Sequence, residues 1–202
     1  NNKIKSVNSN YTLDIDKCNL KGVHNISNFV AAATIAKKVG IRDNNIFKII
    51  KNFKGLSHRF EHFLTKDGID FINDSKSTNI DSAVKAIKSI DNSIILIMGG
   101  IPKEEDFSSI LKFKNKIKAV IAYGKASQSI SDSLSKQMNV KMIENFKDAV
   151  NMSIKYAGKE STILLSPACS SFDQFKNFEE RWKVFKNMVE RFYAWILKSK
   201  NK

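Results

Sequence analysis

One short run of polar side chains could bind an anion. Residues 163–165, Ile-Leu-Leu, predict a buried strand, and the run that follows, SPACSSFDQF, is rich in small and hydroxyl-bearing residues. Ser170, Ser171 and Asp173 could bind a carboxylate through hydroxyls and through the amides of a helix start. Ordinary helix capping by the same residues is the alternative interpretation.

A second run repeats this layout earlier in the chain. Apolar residues 71–72 are followed by NDSKSTN, which contains Asp74, Lys76 and Thr78. The Asp74 carboxylate could accept both hydroxyls of a ribose, or it could close an Asx turn or cap a helix. Lys76 and Thr78 stand at alternate positions, so on an extended segment they would point to one side and suit a phosphate or a carboxylate. A solvated surface lysine is the alternative for Lys76.

Two further runs carry glycine and lysine. Gly99 and Gly100 follow the apolar run IILIM and would let the backbone approach a ligand closely, with Lys103 supplying charge for an anion. A plain strand-to-helix turn is the alternative for the glycine pair. Gly124 and Lys125 follow the next strand candidate. All four runs end predicted parallel strands, whose carboxyl ends form the usual ligand-binding edge of a sheet.

Three residues outside these runs could contact a nucleotide. The Arg59 guanidinium could stack on a purine, bind a phosphate or form an interdomain ion pair. Asn25 and Asn28 share a helix face, so their amides could bind an adenine edge; a helix cap at Asn25 is the alternative.

Cys169 has no base near it in sequence, so we expect a packed residue and not a nucleophile.

Composition narrows the function classes. The 202 residues include 34 Lys and Arg against 20 Asp and Glu, a net charge of +14, which favours anionic partners. The lysines are scattered and few basic residues are arginine, so small molecules are expected and nucleic acid is not. The two cysteines and three histidines lack metal-ligand spacing, and no segment is apolar enough to span a membrane. We therefore expect a cytoplasmic protein without a metal site in this chain. A monomer is expected as well, on no particular feature of the sequence.

Apolar periodicity predicts two domains, 1–54 and 55–202. The first contains a β-like segment and helices at 24–39 and 44–52. In the second, strand candidates alternate with helix candidates. The strand candidates are residues 62–64, 69–72, 93–98, 119–123, 140–143 and 162–165. The helix candidates are residues 79–90, 107–113, 127–137, 146–158 and 177–198. This alternation predicts an α/β fold with a doubly wound, Rossmann-like, mostly parallel sheet and helices on both faces.

Five stretches of the chain resemble the Mur ligases. They are HNISN (24–28), GLSHRFE (55–61), INDSKSTN (72–79), GGIPKEEDF (99–107) and SPACSSFDQFKNFEER (166–181), and together they span nearly the whole chain after residue 20. The last stretch resembles the D-glutamate-adding members of the family. The resemblance implies that residues 55–202 are a Mur ligase C-terminal domain and that residues 1–54 are the C-terminal tail of the central ATP-binding domain.

The resemblance also implies a reaction and residue roles. The reaction is ATP- and Mg²⁺-dependent addition of D-glutamate to UDP-N-acetylmuramoyl-L-alanine through an acyl phosphate, in peptidoglycan precursor synthesis. By position, the ATP contacts are Asn25, Asn28, Arg59 and Asp74. Lys76 is the catalytic residue near the phosphates. The D-glutamate contacts are Thr78, Lys103, Ser171 and Phe178.

The chain also departs from the family pattern. The phosphate loop GTxGK[ST] and the Mg²⁺ ligands of the family are absent from these residues, so this chain alone is expected to be inactive. Position 1 is Asn, which suggests that the chain begins inside a longer reading frame. Trp182 replaces a usual glycine and is expected to pack in the core. The alternatives are another amide ligase, such as one adding glutamate to folate, and a non-catalytic basic nucleotide-binding module.

Overall fold

The structure is a computed structural model that describes residues 3–5, 12–18 and 23–200. It divides into two compact units, Asn1–Leu56 and Ser57–Lys202. We call them unit 1 and unit 2 and describe each by itself.

Unit 1 is a small helical unit with a two-stranded ribbon. Strand β1 (Lys3–Lys5) pairs antiparallel with β2 (Thr12–Asp14), and helices α1 (Val23–Lys38) and α2 (Asp43–Asn52) follow. Helix α1 ends as predicted at Gly40, whose φ of +86° suits glycine and lets the Ile41 N–H bond back to the Ala36 carbonyl. The described core consists of Ile15, Cys18, Phe29, Ile46 and Ile50.

Unit 2 contains a six-stranded sheet in the order β3-β4-β8-β5-β6-β7. Its strands are β3 (Glu61–Lys66), β4 (Ile69–Asn73), β5 (Ser93–Gly99), β6 (Ile117–Tyr123), β7 (Val140–Ile143) and β8 (Ser161–Leu165). Its helices are α3 (Ile80–Lys88), α4 (Ser127–Leu134), α5 (Phe146–Tyr156) and α6 (Phe178–Lys200). Only the edge strand β3 is antiparallel to its neighbour; the other pairings are parallel. The predicted α/β fold with a mostly parallel sheet is confirmed.

Helices cover both faces of this sheet. Along β5, Ile94, Leu96 and Met98 belong to the core that packs on α3 and α4. Ile95 and Ile97 belong to the opposite core, beneath α5 and α6. Successive side chains of a strand point to opposite faces, so a strand buried on both faces is a continuous apolar run, as IILIM is. The alternation of faces therefore explains why the run predicts a central strand.

One of the predicted helices is a 3₁₀-helix. The helix candidate at residues 107–113 corresponds to the 3₁₀-helix Ser108–Phe113. Its bonds run from Ile110 N–H to the Phe107 carbonyl and from Lys114 N–H to the Leu111 carbonyl, which are three-residue steps. The 3₁₀-helix still buries Phe107, at its start, and Ile110 against the sheet.

Candidate functional site at the carboxyl edge of the sheet

Four loops leave the carboxyl ends of adjacent strands in unit 2. They are residues 74–79 after β4, 100–107 after β5, 124–126 after β6 and 166–177 after β8, and we call them the strand-end loops. Strand β8 lies between β4 and β5, so the two most polar loops, after β4 and β8, are neighbours. The structure thus places these runs of unit 2 at one edge.

The glycine pair after β5 lets these loops approach one another. Gly99 has φ of +140°, and a Cβ there would lie 2.0 Å from the Tyr123 carbonyl oxygen. Gly100 has φ of +124°, and its Cβ would lie 2.0 Å from the Ser170 carbonyl oxygen. Ile101 and Ser170 exchange backbone hydrogen bonds of 2.9 and 3.0 Å beside this contact. Glycine is therefore required at both positions because backbone from another loop packs against them, whether or not a ligand is bound.

Asp74 is the buried carboxylate of the site. Its Oδ2 accepts the Ser166 hydroxyl at 2.8 Å and its Oδ1 accepts the Phe60 N–H at 3.1 Å. Burial raises the pKa of Asp74 to about 6, and the bonds from Ser166 and Phe60 and the charge of Arg59 offset part of that rise. Neither structural alternative applies, because Asn79 caps α3 and Asn73 makes the Asx turn to the Ser75 N–H.

The segment after Asp74 is a turn, so the argument from an extended segment does not hold for Lys76 and Thr78. The Ser77 N–H closes the turn on the Asp74 carbonyl at 2.8 Å. Lys76 is exposed, and its Nζ lies 4.6 Å from the ring centroid of Phe178, at the start of α6. This cation–π contact fixes the direction of an ammonium that the turn alone would leave free. Thr78 is half-buried.

The turn before β3 is bound to the same loop. His58 and Phe60 have positive φ angles of 67° and 44°, and the Lys76 N–H bonds to the His58 carbonyl at 3.1 Å. Glu61 Oε2 accepts the His58 N–H and the Asn73 amide, each at 3.0 Å. Arg59 projects from this turn, is exposed and forms no ion pair with the described residues of unit 2. Its guanidinium is therefore accessible to a ligand of this unit.

The loop after β8 does not use the amides of a helix start. Helix α6 begins at Phe178 and is capped by Asn177, whose side chain accepts the Glu180 N–H at 2.8 Å. Ser170 and Ser171 therefore lie too far before the helix to cap it, and both helix-start interpretations are wrong. Ser171 is buried, and its carbonyl accepts the N–H of Phe175 at 2.9 Å in an isolated turn. Lys103, in the loop after β5, is exposed.

Cys169 is a buried structural residue, as the sequence predicted. It is fully buried, and burial raises the pKa of its thiol to about 12. A thiol with this pKa is protonated at neutral pH, and the thiolate is the nucleophilic form. Trp182 is also buried, as expected, and its ring packs edge-on against Phe63 at 4.7 Å between centroids.

Sequence reasoning missed Arg181, which lies beneath these loops. Its side chain is 0% exposed and hydrogen-bonds to Ser75, Cys169 and Tyr123. A signal was available: Arg181 is three residues after Phe178 and four before Phe185, so it occupies the apolar face of α6. A cation at a core position of a helix indicates a specific set of buried acceptors.

The two asparagines predicted to contact adenine lie in unit 1. Asn25 is buried and Asn28 is exposed on α1. Since α1 begins at Val23, Asn25 lies in its first turn and not at the cap.

Within residues 3–5, 12–18 and 23–200, no group of three His, Cys, Asp or Glu could hold a metal ion. Over the same ranges, no helix is both long and apolar enough to cross a bilayer.

The chain is similar in sequence to a known family of proteins. Residues 58–169 match the family described as Mur ligase, glutamate ligase domain. The chain belongs to the Mur ligase family. A relative from Lachnospira eligens, named UDP-N-acetylmuramoylalanine–D-glutamate ligase, is 39% identical over 180 residues, which is 88% of this chain and 40% of the relative. A relative of the same name from Rickettsia prowazekii is 38% identical over 94% of this chain and 43% of its own length.

Solved Mur ligases share the fold. UDP-N-acetylmuramate-alanine ligase from Thermotoga maritima superposes with a TM-score of 0.69 at 17% identity, covering 91% of this chain and 40% of that one. MurF from Acinetobacter baumannii gives 0.68 at 15% identity, covering 93% and 42%. This Mur ligase chain therefore spans about 40% of the length of the curated relatives it matches.

Proposed function

We propose that this chain is the C-terminal part of an ATP-dependent ligase that adds D-glutamate to UDP-N-acetylmuramoyl-L-alanine. The names of the relatives at 38–39% identity support the choice of amino acid. The observation that carries the proposal is the junction of the loops after β4 and β8, where Ser166 bonds to Asp74 and Lys76 lies over Phe178. Adjacent hydroxyl, carboxylate and ammonium groups at a sheet edge suit a nucleotide beside an amino acid.

The residues of unit 2 are assigned two sets of contacts. Arg59 and Asp74 are proposed to bind ATP, the first through phosphate or purine and the second through the ribose. Asp74 retains acceptor capacity, because each carboxylate oxygen has two lone pairs and each accepts one hydrogen bond within the chain. The residues proposed to bind D-glutamate are Thr78, Lys103, Ser171 and Phe178.

Lys76 is proposed as the catalytic residue. In the reaction, the γ-phosphoryl group of ATP passes to the carboxylate of UDP-N-acetylmuramoyl-L-alanine. The amine of D-glutamate then attacks the acyl carbon, phosphate leaves with the C–O bond electrons, and the amine loses a proton. All reactants are anionic, so an ammonium held by Phe178 near the phosphates lowers their repulsion and stabilises the transition state.

Unit 1 is proposed to be the C-terminal tail of a central ATP-binding domain. Asn25 and Asn28 are proposed as ATP contacts on the strength of the resemblance in HNISN. Magnesium is proposed to be bound by residues outside this chain, as the resemblance to the Mur ligases implies. The chain alone should therefore not catalyse the reaction.

Phosphate release tests the proposed function. The chain joined to the upstream coding region is assayed with ATP, Mg²⁺, UDP-N-acetylmuramoyl-L-alanine and either D- or L-glutamate, and the 202-residue chain is assayed in parallel. Turnover by the longer protein with the D-isomer alone is expected. Turnover with another amino acid or with a folate acceptor would assign a different amide ligase. Absence of turnover with every acceptor would favour a non-catalytic nucleotide-binding module.

A further inference from the structure

Arg181 is a fully buried cation whose donors are all used. Its Nε bonds to the Ser75 hydroxyl at 3.0 Å, and one terminal nitrogen bonds to the Ser75 carbonyl at 2.7 Å and to the Cys169 carbonyl at 3.4 Å. The other terminal nitrogen bonds to the Tyr123 hydroxyl at 3.1 Å and to the Cys169 carbonyl at 3.3 Å. These five bonds match the five N–H groups of a guanidinium. The guanidinium therefore joins all three partners in one hydrogen-bonded network.

The partners lie in three of the strand-end loops or at their starts. Ser75 precedes Lys76, Cys169 comes two residues before Ser171, and Tyr123 ends β6. The Ser75 hydroxyl also donates to the Phe178 carbonyl at 2.9 Å, which joins the same network to the start of α6. Arg181 thus bonds to the backbone directly before Lys76 and to the backbone two residues before Ser171, and it is joined to the Phe178 carbonyl through the Ser75 hydroxyl.

The charge of Arg181 has no carboxylate partner among the described residues of unit 2. Burying a cation without an ion pair is costly, and an apolar residue at this helix position would pack without that cost. The arrangement is therefore not explained by stability alone. Two of the four acceptor atoms are backbone carbonyls of the loops after β4 and β8, and a planar guanidinium holds two such loops at a defined separation as a flexible ammonium cannot.

We propose that Arg181 is a positioning residue that holds Lys76, Ser171 and Phe178 in one arrangement at the D-glutamate-binding edge. This inference rests on the proposed function for the identity of the substrate. The contact between Arg181 and the loops is independent of it.

The first experiment uses the 202-residue chain alone. Backbone amide shifts are recorded by NMR for wild type, Arg181→Met, Arg181→Lys and the control Val189→Ala. Val189 is buried on α6 two turns beyond Arg181, so its truncation should destabilise the fold without touching the loops. The expected result is that Arg181→Met shifts the amides of residues 75–78 and 169–173, Arg181→Lys shifts them less, and Val189→Ala leaves them unchanged.

The second experiment uses the longer enzyme of the proposed function. Arg181→Met should raise the KM for D-glutamate at least ~10-fold and the KM for ATP much less, because displaced contact residues bind the amino acid more weakly. Val189→Ala should lower the melting temperature without changing either KM. If Arg181→Met does not fold, Arg181→Lys is compared with wild type instead, and a smaller rise in the KM for D-glutamate is expected.

Three outcomes overturn the inference. The first is that the loop amide shifts of Arg181→Met equal those of wild type. The second is that Val189→Ala raises the KM for D-glutamate as much as Arg181→Met does. The third is that Arg181→Lys behaves as wild type in both experiments, since that variant keeps the charge but not the planar guanidinium. If the wild-type enzyme has no turnover with D-glutamate, the proposed function fails. The amide shifts then still decide whether Arg181 holds the loops.

Discussion

At the scale of single residues, Asp74 links pH to the stability of the chain. Its pKa is raised to about 6 by burial, against 3.8 for an ordinary aspartate, so the folded chain binds this proton more tightly than the unfolded chain. The stability that Asp74 contributes is therefore greatest below pH 4 and is lost as the pH rises through 6.

Asp74→Asn removes this pH dependence. The amide stays neutral, so at pH 8 the variant should have a free energy of unfolding up to about 3 kcal/mol above that of wild type, and the difference should shrink towards pH 4. Urea unfolding of the 202-residue chain at pH 4, 6 and 8 measures it. Asp81→Asn, at an exposed position of α3, is the control and should show no comparable trend. Parallel pH profiles for Asp74→Asn and wild type would contradict the burial argument.

Lys103 is also expected to act as a single residue, through one accessible positive charge. It is exposed in the loop after β5, so Lys103→Ala should leave the fold intact. In the longer enzyme the variant should raise the KM for D-glutamate much more than the KM for ATP, since it removes a cation from a carboxylate. Lys112→Ala removes another exposed lysine of the same connection and is the control. Equal effects of Lys103→Ala on both KM values would exclude the assigned role.

At the scale of elements, Gly100 sets the separation of the loops after β5 and β8. A Cβ at this position would lie 2.0 Å from a backbone oxygen, and φ is +124°. Gly100→Ala should therefore lower the free energy of unfolding by roughly 2–4 kcal/mol, through backbone strain and displacement of the Ser170 loop. Chemical unfolding measures the change. Gly158→Ala, whose Cβ would meet only the end of a lysine side chain at 3.8 Å, should be nearly neutral. A Gly100→Ala chain as stable as wild type would show that the loops after β5 and β8 can move apart at little cost in free energy.

At the scale of the whole molecule, the two units differ in their ability to fold alone. Unit 2 has a core on each face of its sheet, whereas the described part of unit 1 has five buried apolar residues. Unit 1 also exposes Ile35, Val39 and Ile49 by 65%, 72% and 66%. Units of this size are marginally stable, so we expect the small described core and the exposed apolar side chains to leave unit 1 unstable on its own.

Residues 57–202 should therefore fold alone and residues 1–56 should not. Circular dichroism on heating should show one cooperative transition for the larger fragment and none for the smaller one. The sheet amides of the larger fragment should keep the NMR shifts they have in the 202-residue chain. A cooperative transition in residues 1–56 would contradict the core argument.

The fold was largely predictable because its signals are local. The runs IILIM and TILL are buried strands as expected, and Gly40 ends α1. The site was only partly predictable. Placement of the polar runs of unit 2 at one edge follows from parallel strands, and the start of α6 was predicted to within one residue. The segment after Asp74 was not predictable, because the N–H groups of Asp74 and Lys76 bond to the distant carbonyls of Leu165 and His58. The roles of the nine candidate residues stay predictions.

By itself, the sequence determined which segments become strands and helices and which polar runs end the strands, because periodicity and residue type act over a few neighbouring positions. Tertiary structure alone decided that β8 inserts between β4 and β5. That insertion brings Ser166 to Asp74 across 92 positions and Arg181 to Ser75 across 106. Such contacts depend on how two cores pack on a shared sheet. The apolar pattern of one segment does not indicate which distant segment it will contact.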